Sequence, residues 1–285
     1  MIRQLYRRKG HIKIIAFHKF TVGEGETLEN KRDLWIDYIK VFACILVVLG
    51  HLYHSMVSAG LTGDTVLYDW FIATIYCFHV ALFFVCSGFL YQKHSCVKNV
   101  NSWKKNVLKK FINLGIPYFV FSFATWLLKT VFSNSVNNEI DGLFEVLFLE
   151  PTAPYWYLYC LFFVFLITPT VNDKKSFLYV TLFGIISKLM SLYGIGCSIY
   201  AVNIVLGNEI WFVLGIFLCM YERKLHKVKP IVGVLLTGVF LIGSVWGFRL
   251  QQMSIYFALG VIACMATVIV FANGAVKKNV IFDFL

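Results

Sequence analysis

Residues Leu34–Val57 read LWIDYIKVFACILVVLGHLYHSMV, an apolar segment long enough to cross a bilayer as a helix. Ionisable side chains inside such a segment are costly and usually mark a functional path through the membrane. With 3.6 residues per turn, Lys40 and His51 project from the same helix face, about 16 Å apart along the axis. Asp37 and Cys44 lie near that face. We therefore expect a polar stripe on this helix that lines a cavity.

The rest of the chain has the same character. Apolar residues make up 59% of the sequence and charged residues only 14%. The chain contains runs of about 20 residues that would be apolar on every face of a helix. This pattern is typical of membrane helices rather than of membrane strands, in which apolar and polar residues alternate. We predict an all-α polytopic membrane protein with about eight transmembrane helices. The predicted spans are Leu34–Val57, Leu67–Leu90, Phe111–Phe132, Tyr155–Val171, Phe177–Gly194, Ile199–Tyr221, Ile231–Phe248 and Ser254–Ala272.

The net charge of +11 is explained by membrane topology rather than by nucleic-acid binding. Before the first span, in alternate loops and after the last span lie 22 of the 26 Lys and Arg residues. The positive-inside rule places these segments, and both termini, in the cytoplasm. The predicted partners are therefore membrane lipid and no nucleic acid. Most of the cysteines fall within spans without metal-ligand spacing, so we predict no metal site.

Four motifs occur in a characteristic order along the chain. They are Arg32-Asp33-x-Trp35-Ile36-Asp37-x-x-Lys40 followed by Gly50-His51; Phe78-His79-x-x-Leu82-Phe83-Phe84-x-x-Ser87-Gly88-Phe89; a basic stretch from Lys104-Lys105 to Lys109-Lys110 leading to Pro117-Tyr118; and Trp156-Tyr157-Leu158. Together they resemble acyltransferase family 3. Members are polytopic membrane enzymes that transfer acyl groups, commonly acetyl from acetyl-CoA, to hydroxyls on cell-surface glycans and related molecules.

The resemblance implies a setting as well as a reaction. It predicts an acyl-CoA co-substrate with no bound cofactor, an acceptor that is a glycan or a lipid-linked sugar, and a location in the bacterial inner or plasma membrane. The acyltransferase-like domain is expected over residues 34–272. Thioester turnover would separate this interpretation from two alternatives, an exporter that uses the intramembrane Lys/His stripe and an inactive fragment of the family.

The two ends of the chain leave alternatives open. Residues 1–33 form a basic segment that is either a cytoplasmic tail or, before Leu28, a non-native extension ahead of an alternative start. Residues 273–285 are predicted to be a cytoplasmic end that approaches a ninth span. Family members usually have about ten spans, so both a truncated chain and a natural short form fit this ending.

Acyl transfer to a hydroxyl needs a base, and His51 is the candidate because the pKa of an imidazole lies near operating pH. Lys40, nearer the cytoplasm, could hold the phosphates or carbonyl region of the CoA donor, with Asp37 neutralising it when no donor is bound. His79 is a second intramembrane histidine that could orient His51 or an acyl carbonyl. The predicted catalytic group is therefore His51, Lys40, His79 and Asp37.

Two further groups of residues have both a functional and a purely structural interpretation. Ser87 and Gly88 could border the donor, although small residues more often allow close helix packing. The outward-facing candidates for acceptor binding are Lys129, Lys188, Arg249 and Glu209. For the three cations the alternative is snorkelling to lipid headgroups. Tyr155, Trp156 and Tyr157 are predicted to belong to the interfacial aromatic belt.

Overall fold

The computed structural model describes residues 33–63, 65–95, 97, 99–133, 141–195 and 199–274. The predictions for the segment before residue 33, for the end after residue 274 and for the location of both termini lie outside these ranges. The helices are α1 (Leu34–Ser58), α2 (Val66–Tyr76), α3 (His79–His94), α4 (Val100–Lys110), α5 (Ile116–Val131), α6 (Trp156–Ile167), α7 (Lys174–Tyr193), α8 (Tyr200–Met220), α9 (Glu222–Leu225), α10 (Pro230–Leu250) and α11 (Met253–Asn273), with π-helical turns at Phe111–Gly115 and Glu145–Leu149.

The predicted class, an all-α polytopic membrane protein, is confirmed. Within the described residues, seven helical segments are long and apolar enough to cross a membrane. They correspond to seven of the eight predicted spans, with α2 and α3 together forming one segment and α4 and α5 another. The chain is therefore a multi-pass membrane protein.

The fourth predicted span is the exception. Helix α6 covers only 12 residues, about 18 Å, which is too short to cross the hydrocarbon core alone. It ends at Ile167, before Thr168 in an extended conformation, because the following Pro169 disfavours helical geometry at the residue that precedes it. The predicted span through Val171 is therefore wrong at its carboxyl end.

The second span is interrupted inside the membrane. Helix α2 ends at Tyr76 and α3 begins at His79. Side-chain hydrogen bonds to main-chain carbonyls stabilise this break: the Cys77 thiol donates to Thr74 O at 3.0 Å, and His79 Nδ1 donates to Ile75 O at 2.7 Å. Such bonds replace part of the helical hydrogen bonding that the interruption removes.

Helices α3 and α8 form the closest packed pair in the core. A Cβ atom at Gly88 of α3 would run into the main chain of Phe212, and one at Gly215 of α8 would run into the carbonyl of Val85. Small residues that let two backbones approach are a usual device of membrane helix packing. The pair therefore holds the inner end of the broken span against the middle of α8.

A charged cluster at the helix ends ties α1 to this pair. Lys93, near the end of α3, contacts Asp33 at the start of α1 at 2.9 Å and Glu222 after α8 at 2.8 Å. One ammonium thus links three helices on the predicted cytoplasmic side.

Candidate functional site

A cavity of about 440 Å³ opens where α1, the break in the second span and α8 meet. Helix α1 lines it through Cys44, Val47, Val48 and His51, one face of the helix. The loop before α6 closes another side with Ala153 and Pro154. The cavity lies within the membrane-spanning part of the protein and admits a ligand of small-molecule size.

His51 and His79 both line this cavity. The two residues come from different spans, His51 from α1 and His79 from the start of α3. His51 is exposed and has no hydrogen-bond partner among the described residues, whereas only 4% of the surface of His79 is exposed. Two imidazoles in different environments therefore face the same space.

The hydrogen bond from His79 to Ile75 O assigns its tautomer. A carbonyl oxygen can only accept, so Nδ1 carries the proton, and in the neutral ring Nε2 is then the basic nitrogen. The ring also packs edge-on against Tyr76, with centroids 4.8 Å apart. Because its orientation is fixed from two sides, His79 is a preorganised group.

The start of α3 adds main-chain donors to the cavity wall. The first amides of a helix have no carbonyl one turn earlier to bind, and the helix dipole makes this end partly positive. His79, Val80 and Ala81 form the first turn of α3, and all three line the cavity. An oxygen that gains negative charge beside them would be stabilised.

The remaining walls are mainly aromatic. Tyr157 and Trp156 of α6, which were predicted to belong to the interfacial belt, line the cavity together with Trp211 of α8. Ser87 and Gly88 of α3, which were predicted to border the donor, do not line the cavity. Gly88 lies at the contact between α3 and α8.

Lys40 and Asp37 form an ion pair on α1, with 3.8 Å between Nζ and Oδ1. Their side chains are 37% and 31% exposed. Neither residue lines the cavity, so the predicted stripe contributes its Cys44 to His51 portion only. Lys40 lies about 16 Å along α1 from His51, on the predicted cytoplasmic side.

The four predicted acceptor-binding residues do not converge on one place. Lys129 and Arg249 lie near the ends of α5 and α10, as expected for residues at a membrane surface. Lys188 is half-buried and donates to Gly207 O at 3.1 Å. Glu209 is the tenth residue of α8 and has no exposed surface, so it lies in the core rather than at an outer rim.

Glu209 belongs to a small polar cluster in that core. Thr168 Oγ1 lies 2.7 Å from both Val164 O and Glu209 Oε1. The single hydrogen of the Thr168 hydroxyl is thus shared between these two acceptors. The other carboxyl oxygen, Oε2, has no partner among the described residues. Glu209 does not line the cavity that contains His51 and His79, the histidine cavity.

Sequence reasoning did not predict that Trp211 and Tyr157 line the cavity. Trp211 gave no local signal, because a tryptophan in an apolar run is ordinary core. Tyr157 did have one, since it belongs to the fourth motif, Trp156-Tyr157-Leu158, that carries the family resemblance.

Comparison with known proteins agrees with the motifs. The family model described as an acyltransferase domain matches residues 33–282. Nodulation protein NolL of Mesorhizobium japonicum is 28% identical over 138 residues, 48% of this chain and 35% of that protein. NolL of Sinorhizobium fredii is 30% identical over 139 residues, 49% of this chain and 36% of that protein. No solved structure matches significantly.

The matched segment thus spans little more than a third of the length of these relatives. The family match, however, extends over most of the chain, including the three motifs that contribute His51, His79 and Tyr157 to one cavity. The chain belongs to acyltransferase family 3.

Proposed function

We propose that this protein transfers an acetyl or other short acyl group from acyl-CoA to a hydroxyl of a cell-surface carbohydrate, at the cavity lined by His51 and His79. The observation that carries the proposal is the meeting of these two imidazoles in one intramembrane cavity. Intramembrane ionisable residues are rare and commonly functional. The family and the bacterial sources of its relatives support a location in a bacterial inner or plasma membrane.

In the proposed reaction His51 is the general base. The acceptor hydroxyl oxygen attacks the thioester carbonyl carbon while its proton passes to the imidazole. When the tetrahedral intermediate collapses, the carbon–sulfur bond breaks and the proton moves from the imidazolium to the departing thiolate. The products are the O-acylated acceptor and CoA thiol, so no further reactant is needed.

The first turn of α3 would stabilise the charge that develops in this step. The carbonyl oxygen of the thioester becomes an oxyanion in the intermediate, and preorganised amide donors favour that state over the ground state. Val80 and Ala81, in the first turn of α3, line the cavity beside His79. The break in the second span thereby supplies both an imidazole and main-chain donors.

A separate observation supports a second assignment of the general base, to His79. The hydrogen bond from His79 Nδ1 to Ile75 O leaves Nε2 as the basic nitrogen of a ring that is already oriented. In that arrangement His79 takes the proton and His51, on the opposite wall, holds the acceptor. Kinetics of the two variants distinguish the assignments, because loss of the base lowers kcat whereas loss of a binding group mainly raises KM.

Lys40 would act on the donor. It lies near the predicted cytoplasmic start of α1, where an ammonium could contact CoA phosphates. Its 3.8 Å pair with Asp37 is loose enough for an anionic ligand to compete with the carboxylate. Donor and acceptor would then approach the cavity from opposite sides of the membrane.

The test is release of CoA thiol from acetyl-CoA by the full chain in lipid, with cell-envelope glycans as acceptors. We expect His51→Ala to lower kcat by about 10²- to 10⁴-fold, the usual contribution of a general base. His54→Ala is the matched control. His54 is on the same helix three residues further on, its ring is hydrogen-bonded to Tyr68, and it does not line the cavity.

Equal activity of His51→Ala, His79→Ala and wild type would contradict a site at this cavity. Absence of thiol release by the wild-type chain with every acceptor would contradict the reaction itself, and would favour the exporter interpretation.

A further inference from the structure

A second concave surface involves α8, whose Trp211 also lines the histidine cavity. An apolar groove of about 250 Å³ runs between α7, α8 and α11. Its walls include Phe177 near the start of α7, Leu214 and Phe217 of α8, and Phe257 of α11. Such a groove fits a hydrocarbon chain.

A cation adjoins one end of this groove. Lys188 Nζ lies 5.1 Å from the ring centroid of Phe257 and 6.0 Å from that of Trp211, and both rings are groove walls. Its one hydrogen bond among the described residues is to Gly207 O. An ammonium has three donors, so two remain for a ligand.

No carboxylate balances the charge of Lys188 within the described ranges. None lies within ion-pair distance of its Nζ there, in contrast to Lys40 and Lys93, which both have one. The Gly207 carbonyl and the two aromatic rings offset part of the cost of holding a half-buried cation in a membrane. An anion that reached Lys188 from the groove or from the membrane surface beside it would offset more of that cost.

The depth of Lys188 selects among anionic amphiphiles. It is five residues before the end of α7, about 8 Å from the predicted outward end of that helix. A lysine can extend its ammonium over much of that distance to the headgroup level. Acyl-CoA, which would arrive from the cytoplasmic side, is disfavoured at this level.

We propose that the groove binds an anionic phospholipid of the outer leaflet, with one acyl chain between α7, α8 and α11 and the phosphate at Lys188. This site is distinct from the proposed reaction at the histidine cavity and does not depend on it. Because Trp211 lines both the groove and the cavity, the lipid would support one wall of the cavity from behind.

The experiment is native mass spectrometry of the full chain in neutral detergent, titrated with phosphatidylglycerol and, separately, with phosphatidylcholine. We expect the wild-type chain to retain one phosphatidylglycerol molecule. Phosphatidylglycerol binding should be about tenfold weaker in Lys188→Met and close to that of the wild-type chain in Lys188→Arg. Arg249→Met is the matched control, since it removes an exposed cation near an outward helix end that lies away from the groove. Phosphatidylglycerol binding by Arg249→Met should equal that of the wild-type chain.

A second variant tests the groove without touching the charge. Leu214→Trp should fill the groove and weaken phosphatidylglycerol binding while Lys188 stays in place. Elution as a single species and an unchanged far-ultraviolet circular dichroism spectrum check folding. Equal retention of both lipids, or undiminished phosphatidylglycerol binding by folded Lys188→Met, would overturn the proposal. If glycerol phosphate displaced phosphatidylglycerol when both were present at the same concentration, the protein would recognise the headgroup alone. That result would overturn the role of the groove.

Discussion

The two walls of the histidine cavity are built differently. The wall that carries His79 belongs to the packed core: 56% of the apolar stretch within Val66–His94 is buried, and 50% of that of α8. The wall that carries His51 is α1, and only 11% of its apolar stretch is buried. One imidazole is thus held by tertiary packing and a main-chain hydrogen bond, and the other is on a helix with few contacts.

This difference matches the two tasks of a transferase. A rigid wall keeps donors and a base within the narrow geometry that catalysis requires. A helix with fewer buried contacts opens more readily, as substrate entry requires. The predictions below test whether the walls really differ in this way.

The largest effect is expected in the packed wall. Gly88→Ala would place a methyl group against the main chain of Phe212, which cannot move as a side-chain tip can. We expect a loss of about 3 kcal/mol in the free energy of unfolding, typical of a severe overpacking. The loss of stability is measured as a lower melting temperature, with thermal unfolding monitored by size-exclusion chromatography.

Gly238→Ala in α10 is the matched control for that substitution. Apart from the backbone of α10 itself, no heavy atom of the described residues lies within 4 Å of a Cβ built at this position, so alanine should be neutral or slightly stabilising. Equal melting temperatures for the two variants would show that α3 and α8 are not packed as closely as described.

The next effect concerns the break that carries His79. A Cβ at Gly260 of α11 would press on the carbonyl of Cys77, directly at the interruption between α2 and α3. We expect Gly260→Ala to lower kcat by about 100-fold, since a displacement of about 1 Å can have that effect, with KM changed much less. Gly260 is thus a positioning residue.

The same variant must remain folded for this result to count. Its melting temperature should stay closer to wild type than that of Gly88→Ala, because Gly260 touches a local break rather than the centre of a helix pair. A folded Gly260→Ala with wild-type kcat would show that the position of the break does not matter for the reaction.

A smaller effect is expected where the two walls are tied together. Lys93→Met removes both ion pairs that link α1, α3 and the end of α8. Because the side chains are partly exposed, we expect about 1 kcal/mol of destabilisation, diminishing at high salt. Lys224→Met, which removes an exposed lysine that contacts the Tyr221 ring, is the control and should have little effect. A salt-independent loss in Lys93→Met would point to packing of its hydrocarbon stem instead.

The contrast between the two walls of the cavity also explains which parts of the site could be predicted from the sequence. On α1, helical periodicity alone places Cys44 and His51 on one face, and both line the cavity. The break before His79 has no Pro or Gly to announce it. Its hydrogen bonds to the preceding turn are local, but Gly260 of the distant helix α11 also lies against it, and that tertiary contact cannot be seen in the local sequence.

Elsewhere the outcome was mixed for similar reasons. The end of α6 could have been predicted, because Pro169 is a local signal. The surroundings of Lys188 could not, since they come from α8 and α11, and a membrane lysine near a helix end has snorkelling as its ordinary interpretation. The core position of Glu209 likewise depends on which face of α8 meets α6.

The smallest effect is expected at the far end of the loosely held wall. Lys40→Met should raise KM for acetyl-CoA about threefold to tenfold and leave kcat nearly unchanged, because a partly exposed ammonium contributes only modestly to binding a phosphate. Lys129→Met removes another half-buried lysine of a membrane helix and should not alter that KM. If Lys40→Met instead lowered kcat as much as His51→Ala, Lys40 would act in the chemical step. The helix α1 would then have to carry Lys40 into the cavity, and the loosely held wall would move far more than its role in substrate entry requires.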